Sequence, residues 1–268
     1  MIKRSLVSAI AFSAALCTVA PAARAADNAS GTAELLERAG QRVKQFWEEL
    51  SSVACTENLV QEKLDAKGKV VLSSRGEFDY LINLRWDNVG MLVDESRLPL
   101  GAPAKRAPQG ALLATQGFAT LLMIFHPEFQ SSYSFSDDGE ETVSGRKVVR
   151  IRFLPKNGAP TPGILAVKGR DYPIQWQGIA RVDPEQAVVV SIDAQWKDPA
   201  PDVGLQSLTS QVRYAPTPFR GSSSNWWLPE SAEIEVRTAH QHWRNVHHFA
   251  NYRRFSVDAD SKIGDVKQ

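Results

Sequence analysis

Tyr172 to Trp196 reads YPIQWQGIARVDPEQAVVVSIDAQW, and its pattern decides what the rest of the chain can build. Ile174, Trp176, Gly178, Ala180 and Val182 fall on one side of an extended strand, with Gln175, Gln177 and Arg181 on the other. Asp183, Pro184, Glu185 and Gln186 supply turn chemistry. After them Val188, Val190, Ile192, Ala194 and Trp196 stand against Ser191, Asp193 and Gln195. The stretch predicts a β-hairpin with an apolar face and a tryptophan on each arm. Such a face must meet a core, a covering helix or a ligand.

Working towards the N-terminus, Phe78, Tyr80, Ile82, Leu84 and Trp86 alternate with Glu77, Asp79, Asn83, Arg85 and Asp87. They give a second aromatic face, whose register is fixed because a one-residue slip would put it into water. Val53 to Leu64 and Val70 to Ser73 flank a turn at Asp65 to Gly68 and read as a hairpin. Further strands follow at Tyr133 to Ser136, Lys147 to Leu154 and Ile164 to Lys168, separated by a turn at Asp137-Asp138-Gly139 and a loop from Pro155 to Gly163. Leu208, Val212 and Tyr214, then Ile234 and Val236, then Val246 to Val257 continue the series. Leu98 to Gln109, with three prolines, reads as a loop.

Two segments change period. Thr32 to Leu50 places Leu36, Ala39, Val43, Trp47 and Leu50 at helical spacing, with Gly40 costing about 1 kcal/mol in its middle, so this helix needs a sheet to dock on. Gly110 to Phe125 has no charged residue and stops at His126-Pro127. It reads as a core helix over the concave face of a sheet, a lid over a cavity, or an element that meets lipid. The fold class expected is therefore α+β: a long antiparallel meander of strands with an N-terminal helix and a second, apolar helix.

Lys3 and Arg4, the apolar run Leu6 to Ala20, and Ala23-Arg24-Ala25 have the pattern of a secretory signal peptide cleaved after Ala25. The expected organisation is a signal peptide at 1–25 and one exported domain at 26–268, with no transmembrane segment. Without residues 1–25 the formal charge moves from +1 to −2, which does not indicate a nucleic-acid surface. Cys55 is then the sole cysteine and reads as a buried small hydrophobe rather than a redox thiol or a dimer link.

Catalytic signatures for acyl transfer, nucleotide binding and metalloproteolysis are missing, and no catalytic residue or cofactor is expected. Four of the five histidines lie at His240, His242, His247 and His248. On a strand His240 and His242 would share a face, which makes them candidate metal ligands. Arg244 would oppose a cation, and the cluster reads first as a polar hairpin tip. The aromatic faces carry the stronger signal: Phe78, Tyr80, Ile82, Trp86, Leu121, Phe125, Trp176 and Trp196 are the candidate lining of an acyl-chain site, or else ordinary core.

The order of these features resembles the LolA/LolB-like superfamily of periplasmic lipoprotein carriers. It has a leading helix, a strand through Val60-Gln61, a Gly68 turn, Arg75-Gly76-Glu77-Phe78, the Arg85-Trp86 pair and the hairpin from Gly178 to Asp183. The carriers have a proline just before the Arg-Trp region, where this chain has Leu81 to Leu84, and alternation puts Arg85 opposite Trp86. Trp226-Trp227 and Asn251 to Phe255 also look like exported bacterial proteins of this fold for which no activity is implied. The resemblance implies a curved antiparallel sheet, an incomplete β-barrel, with an N-terminal helix and the apolar helix covering its concave face, and a periplasmic, non-enzymatic protein that holds a lipid or a lipoprotein acyl chain. The alternative is an envelope scaffold or sensor that binds another envelope protein, and a metal-dependent site at the histidine cluster is a lesser one. A small outer-membrane barrel is disfavoured by the two helices it would have to house and by the C-terminal Asp265 to Gln268.

Overall fold

The structure, a computed structural model, describes residues 22–49, 52–87, 90–101, 119–167, 169–198, 200–219 and 225–254. The expected signal peptide lies almost wholly outside them. Helix α1 (Ala22–Glu49) is followed by strands β1 (Ser52–Leu64), β2 (Val70–Asp87) and β3 (Gly90–Pro99). A 3-10 segment (Ala119–Phe125) and a one-turn helix α2 (Pro127–Gln130) come next. Then follow β4 (Tyr133–Val143), β5 (Arg146–Pro155), β6 (Ile164–Val167), β7 (Arg170–Pro173), β8 (Trp176–Asp183), β9 (Val188–Trp196), β10 (Leu205–Pro218), β11 (Asn225–Thr238) and β12 (His242–Arg254). Ten strands form one open antiparallel sheet in the order β3-β2-β1-β12-β11-β10-β9-β8-β5-β4, and β6 and β7 pair separately. The sheet does not close into a barrel.

The last strand joins the first. β12 runs antiparallel to β1 from Val53 opposite Arg254 to Leu64 opposite His242, so the two halves of the chain meet in mid-sheet. β3 and β4 are the two edges, and the connection between them must travel from one edge to the other. The 3-10 segment lies on that route, with Leu121, Leu122, Met123, Ile124 and Phe125 all buried in the core. It halts at His126-Pro127 as the sequence requires. Its described part is a 3-10 turn rather than an α-helix, and Gly110 to Phe118 lie outside the described residues.

Helix α1 packs on the same core through Leu35, Ala39, Val43 and Trp47, a stripe at strict four-residue spacing. Leu35 rather than Leu36 is the buried leucine, and Leu36 is only partly covered. Gly40 has a packing reason. A Cβ there would lie 2.5 Å from Gln130 Nε2 and 3.0 Å from the Phe125 carbonyl oxygen. That amide donates to the carbonyls of Leu36 and Phe125, each at 2.8 Å, and so ties α1 to the crossing segment.

The expected hairpin forms, with Trp176 opposite Trp196 and Ala180 opposite Ile192. Two details differ. Tyr172 belongs to the separate β6–β7 pair, and Ile174 precedes β8. A bulge between Arg181 and Val182 leaves Val190 without a partner and pairs Val182 with Val189. Val189, not Val190, therefore joins the core with Ile192, Ala194 and Trp196. Asp137 to Gly139 is likewise a bulge inside β4, where Gly139 adopts φ 94° and donates to Asp137 Oδ1; the turn comes at Ser144-Gly145. β2 is one continuous strand, and β3 occupies a region in which alternation is weak.

Candidate functional site

Of the eight side chains expected to line a cavity, Tyr80, Ile82, Leu121, Phe125, Trp176 and Trp196 are buried in a single core cluster. They fill space for one another and for their neighbours: Phe125 lies 5.6 Å from Phe135 and 6.4 Å from Phe153, centroid to centroid. Phe78 is half-buried with its ring over Gly76, where a Cβ would come within 2.6 Å of it. The side chain of Trp86 lies outside what is described, as does that of Arg85.

The open concavity lies beside this cluster. A groove of about 300 Å³ runs between α1, which contributes Arg42, Val43, Gln45 and Phe46, and the β8–β9 turn with the start of β9, which contribute Gln186, Ala187, Val188 and Val189. Leu122 lies in its floor and Trp226-Trp227 of β11 bound it. Val43, Leu122 and Val189 belong to the core cluster, so the floor is the outer surface of the core. A second recess of about 310 Å³ shares Arg42, Gln45, Gln186 and Ala187 and continues outward past Glu37, Arg38, Gln41 and Glu185. Together they form one trough along α1, polar at one end and aromatic at the other.

Its walls are fixed by charge and by backbone bonds. Asp183 Oδ1 accepts from the backbone N–H groups of Glu185 (2.8 Å) and Gln186 (2.9 Å), the turn-forming role of an Asp at that position. Ala187 takes a left-handed φ of 53° and its N–H returns to the Asp183 carbonyl. Arg146 pairs with the other Asp183 oxygen while its guanidinium lies 5.1 Å from the centroid of Trp227. Burial alone would raise the Asp183 carboxyl, but the turn N–H groups and Arg146 hold it below the usual carboxylate range. From α1, Arg38 donates to the carbonyls of Pro184 and Glu185, both at 2.9 Å. The turn is thereby tied to both the helix and Trp227.

A buried polar network escaped the sequence reading. Glu57 on β1 is fully buried, and Arg97 of β3 donates to it through Nε (2.5 Å) and Nη2 (3.0 Å). His247 of β12, also fully buried, lies with Nδ1 2.7 Å from Glu57 Oε1. Arg97 lies over Tyr80 at 4.7 Å, and His247 stacks on Phe249 at 5.9 Å. Burial by itself raises the Glu57 carboxyl, yet the bonds from His247 and Arg97 and the Arg97 charge bring it below its ordinary value. Burial holds the His247 imidazole below its ordinary value, against the pull of Glu57. His247 is thus a mid-strand core residue, not part of a polar hairpin tip. The one available signal was Glu57 standing between Cys55 and Leu59 at two-residue spacing.

The histidine pair expected to share a strand face does not do so. His240 sits in the exposed turn before β12, and His242 opens the strand with Nε2 3.3 Å from Glu235 Oε2. Among the described residues no three His, Cys, Asp or Glu side chains gather around a common point. Cys55 is buried, as expected of a small hydrophobe, and burial pushes its thiol up to about 12. Among the described residues no helix is long and apolar enough to cross a membrane.

No family model matches the chain, and no curated protein matches it. Among solved structures, a DUF1329 family protein from Desulfovibrio piger is similar over 87% of this chain and 95% of its own, with 13% identity and a TM-score of 0.43. A LolA superfamily protein from Nitrosomonas europaea is similar over 81% and 94%, with 9% identity and a TM-score of 0.38. A structure of the MucA/MucB complex from Pseudomonas aeruginosa is similar over 81% and 99%, with 12% identity and a TM-score of 0.23.

Proposed function

We propose that this chain is a periplasmic, non-enzymatic binding protein that holds an acyl chain or a lipoprotein lipid in the trough between α1, the β8–β9 turn and Trp226-Trp227. The observation that carries this reading is the trough itself: about 300 Å³, apolar in its floor, closed by two tryptophans and held open by the Asp183–Arg146–Trp227 chain of contacts. Its volume is at the lower end of small-molecule sites, about 300–1,000 Å³. Each methylene taken from water contributes about 0.8 kcal/mol before the cost of binding. Tyr80, Ile82, Leu121, Phe125, Trp176 and Trp196 support the site from behind, because they pack in the same cluster as its floor. A preformed floor requires no collapse or opening of the core when ligand enters.

The test is to purify residues 26–268 and extract them for mass spectrometry, then to titrate the delipidated protein with a fluorescent fatty-acid probe. Co-purifying acyl lipid and saturable, displaceable fluorescence are expected. Clean extracts together with a silent probe would remove the reading.

A second reading, an envelope scaffold that binds another protein, has one observation of its own. Leu98 of β3 and Leu100 just after it are exposed on one face at the edge of the sheet. Partner capture from envelope extracts that persists after delipidation, and is lost on Leu98→Asp, would favour it.

A further inference from the structure

The trough carries a charge that its neighbours leave unanswered. Arg42 lines both the apolar groove and the polar recess, so it stands at the waist between them. Among the described residues its guanidinium makes no ion pair and no hydrogen bond. Arg38, one turn earlier on α1, is committed to the carbonyls of Pro184 and Glu185. Phe46, one turn later and about 6 Å along the axis, faces the apolar end. Arg38, Arg42 and Phe46 therefore form a single stripe on which chemistry changes from structural cation, to unpaired cation, to aromatic wall.

We propose that the occupant of the trough is a single-chain fatty acid, its carboxylate on Arg42 and its chain directed along Phe46 towards Trp226 and Trp227. This rests on the acyl-binding reading above and narrows it. Charge complementarity selects the head group. One planar guanidinium matches one carboxylate in a bidentate pair. A phosphate dianion would bring a second negative charge towards Glu37 and Glu185, which line the outer recess. A neutral head would leave Arg42 without a counter-charge after the chain had displaced water from the groove. Volume selects one chain, since the apolar part is at the lower limit for a small-molecule site.

The experiment displaces a neutral polarity-sensitive probe, N-phenyl-1-naphthylamine, with dodecanoate, dodecanol and dodecyl phosphate at about pH 8, where the carboxylate is ionised. It compares the natural chain with Arg42→Gln and Arg42→Lys. Arg42 is exposed on α1, and thermal melts will verify that both variants fold. Dodecanoate is expected to bind about tenfold more tightly than either competitor, with that preference lost in Arg42→Gln and largely kept in Arg42→Lys. Equal affinity for the three ligands, or a preference for the phosphate or the alcohol, overturns the fatty-acid assignment while leaving acyl binding in place. A preference that survives Arg42→Gln overturns the role of Arg42. Failure of all three to displace the probe overturns both this inference and the acyl-binding reading beneath it.

Discussion

Glu57 and His247 are 190 positions apart in the sequence and 2.7 Å apart in the fold, and neither side chain reaches solvent. The contact exists only because β12 pairs with β1, so the network reports directly on the joining of the two halves of the sheet. Arg97 brings β3 to the same carboxylate. A buried carboxylate with two such donors is costly to leave half-satisfied. Glu57→Gln keeps the volume but removes the charge that answers Arg97. We expect it to lower the unfolding free energy by about 3 kcal/mol, read from urea midpoints at constant slope.

The same network makes stability depend on pH. His247 is held below its usual 6.5 in the folded state, so the unfolded chain binds more protons in the window between the two values. Its contribution is complete above 6.5 and is lost as pH falls. Glu57, held below its usual 4.5, adds a contribution that is present above that value and disappears further into acid. Both push the same way. His126, also lowered by burial first, adds to the slope. Urea midpoints should therefore fall from about pH 7.5 to about pH 5.5, and fall less steeply in His247→Gln. A flat profile in the natural chain would contradict the assignment of His247 as a neutral donor.

Cys55 offers a check on core integrity. Its thiol is buried and burial pushes it up to about 12, so the thiolate needed for disulfide exchange is scarce at neutral pH. In a chain lacking residues 1–25 it is the sole thiol. Ellman's reagent should leave the native protein unmodified and react at once on unfolding.

Gly40 is a position where helix propensity and packing oppose each other. Alanine would favour α1 by about 1 kcal/mol as an isolated helix. Its Cβ, however, would displace the Gln130 amide, breaking two bonds worth about 1 kcal/mol each, and press on the Phe125 carbonyl. Gly40→Ala should therefore destabilise the protein by about 1–2 kcal/mol, measured by thermal or urea melts.

These positions also mark how far the residues alone could lead. Strict two-residue alternation made Phe78 to Ile82, Leu208 to Tyr214 and the Trp176–Trp196 hairpin readable, because one face of each is buried and period 2 has no rival there. Val188-Val189-Val190 is apolar on both sides of the period, so nothing local announces the bulge that selects Val189. β3 reads Met91-Leu92-Val93-Asp94-Glu95-Ser96-Arg97, a block of apolar residues followed by a block of polar ones, and its strand state comes from pairing with β2. The trough draws on α1, the crossing segment, the β8–β9 turn and β11, four places that only the topology brings together. The double tryptophan was visible as a feature, but its partner Arg146 lies on another strand and its role depends on Asp183.

Trp227 separates ligand binding from stability. It is partly buried, closes one end of the groove and receives the Arg146 guanidinium on its ring. Truncation to alanine removes an aromatic wall from an acyl chain and forfeits a cation–π contact worth about 0.5–1 kcal/mol. Arg146 keeps its partner Asp183, so the turn should survive. Trp227→Ala is expected to weaken binding of a fluorescent acyl probe about tenfold while the unfolding free energy falls by only about 1 kcal/mol. Trp227→Phe, which restores an aromatic surface without the indole N–H, should recover most of the affinity. If the alanine variant binds the probe as tightly as the natural chain, the acyl chain does not lie against Trp227, and the groove is not its site.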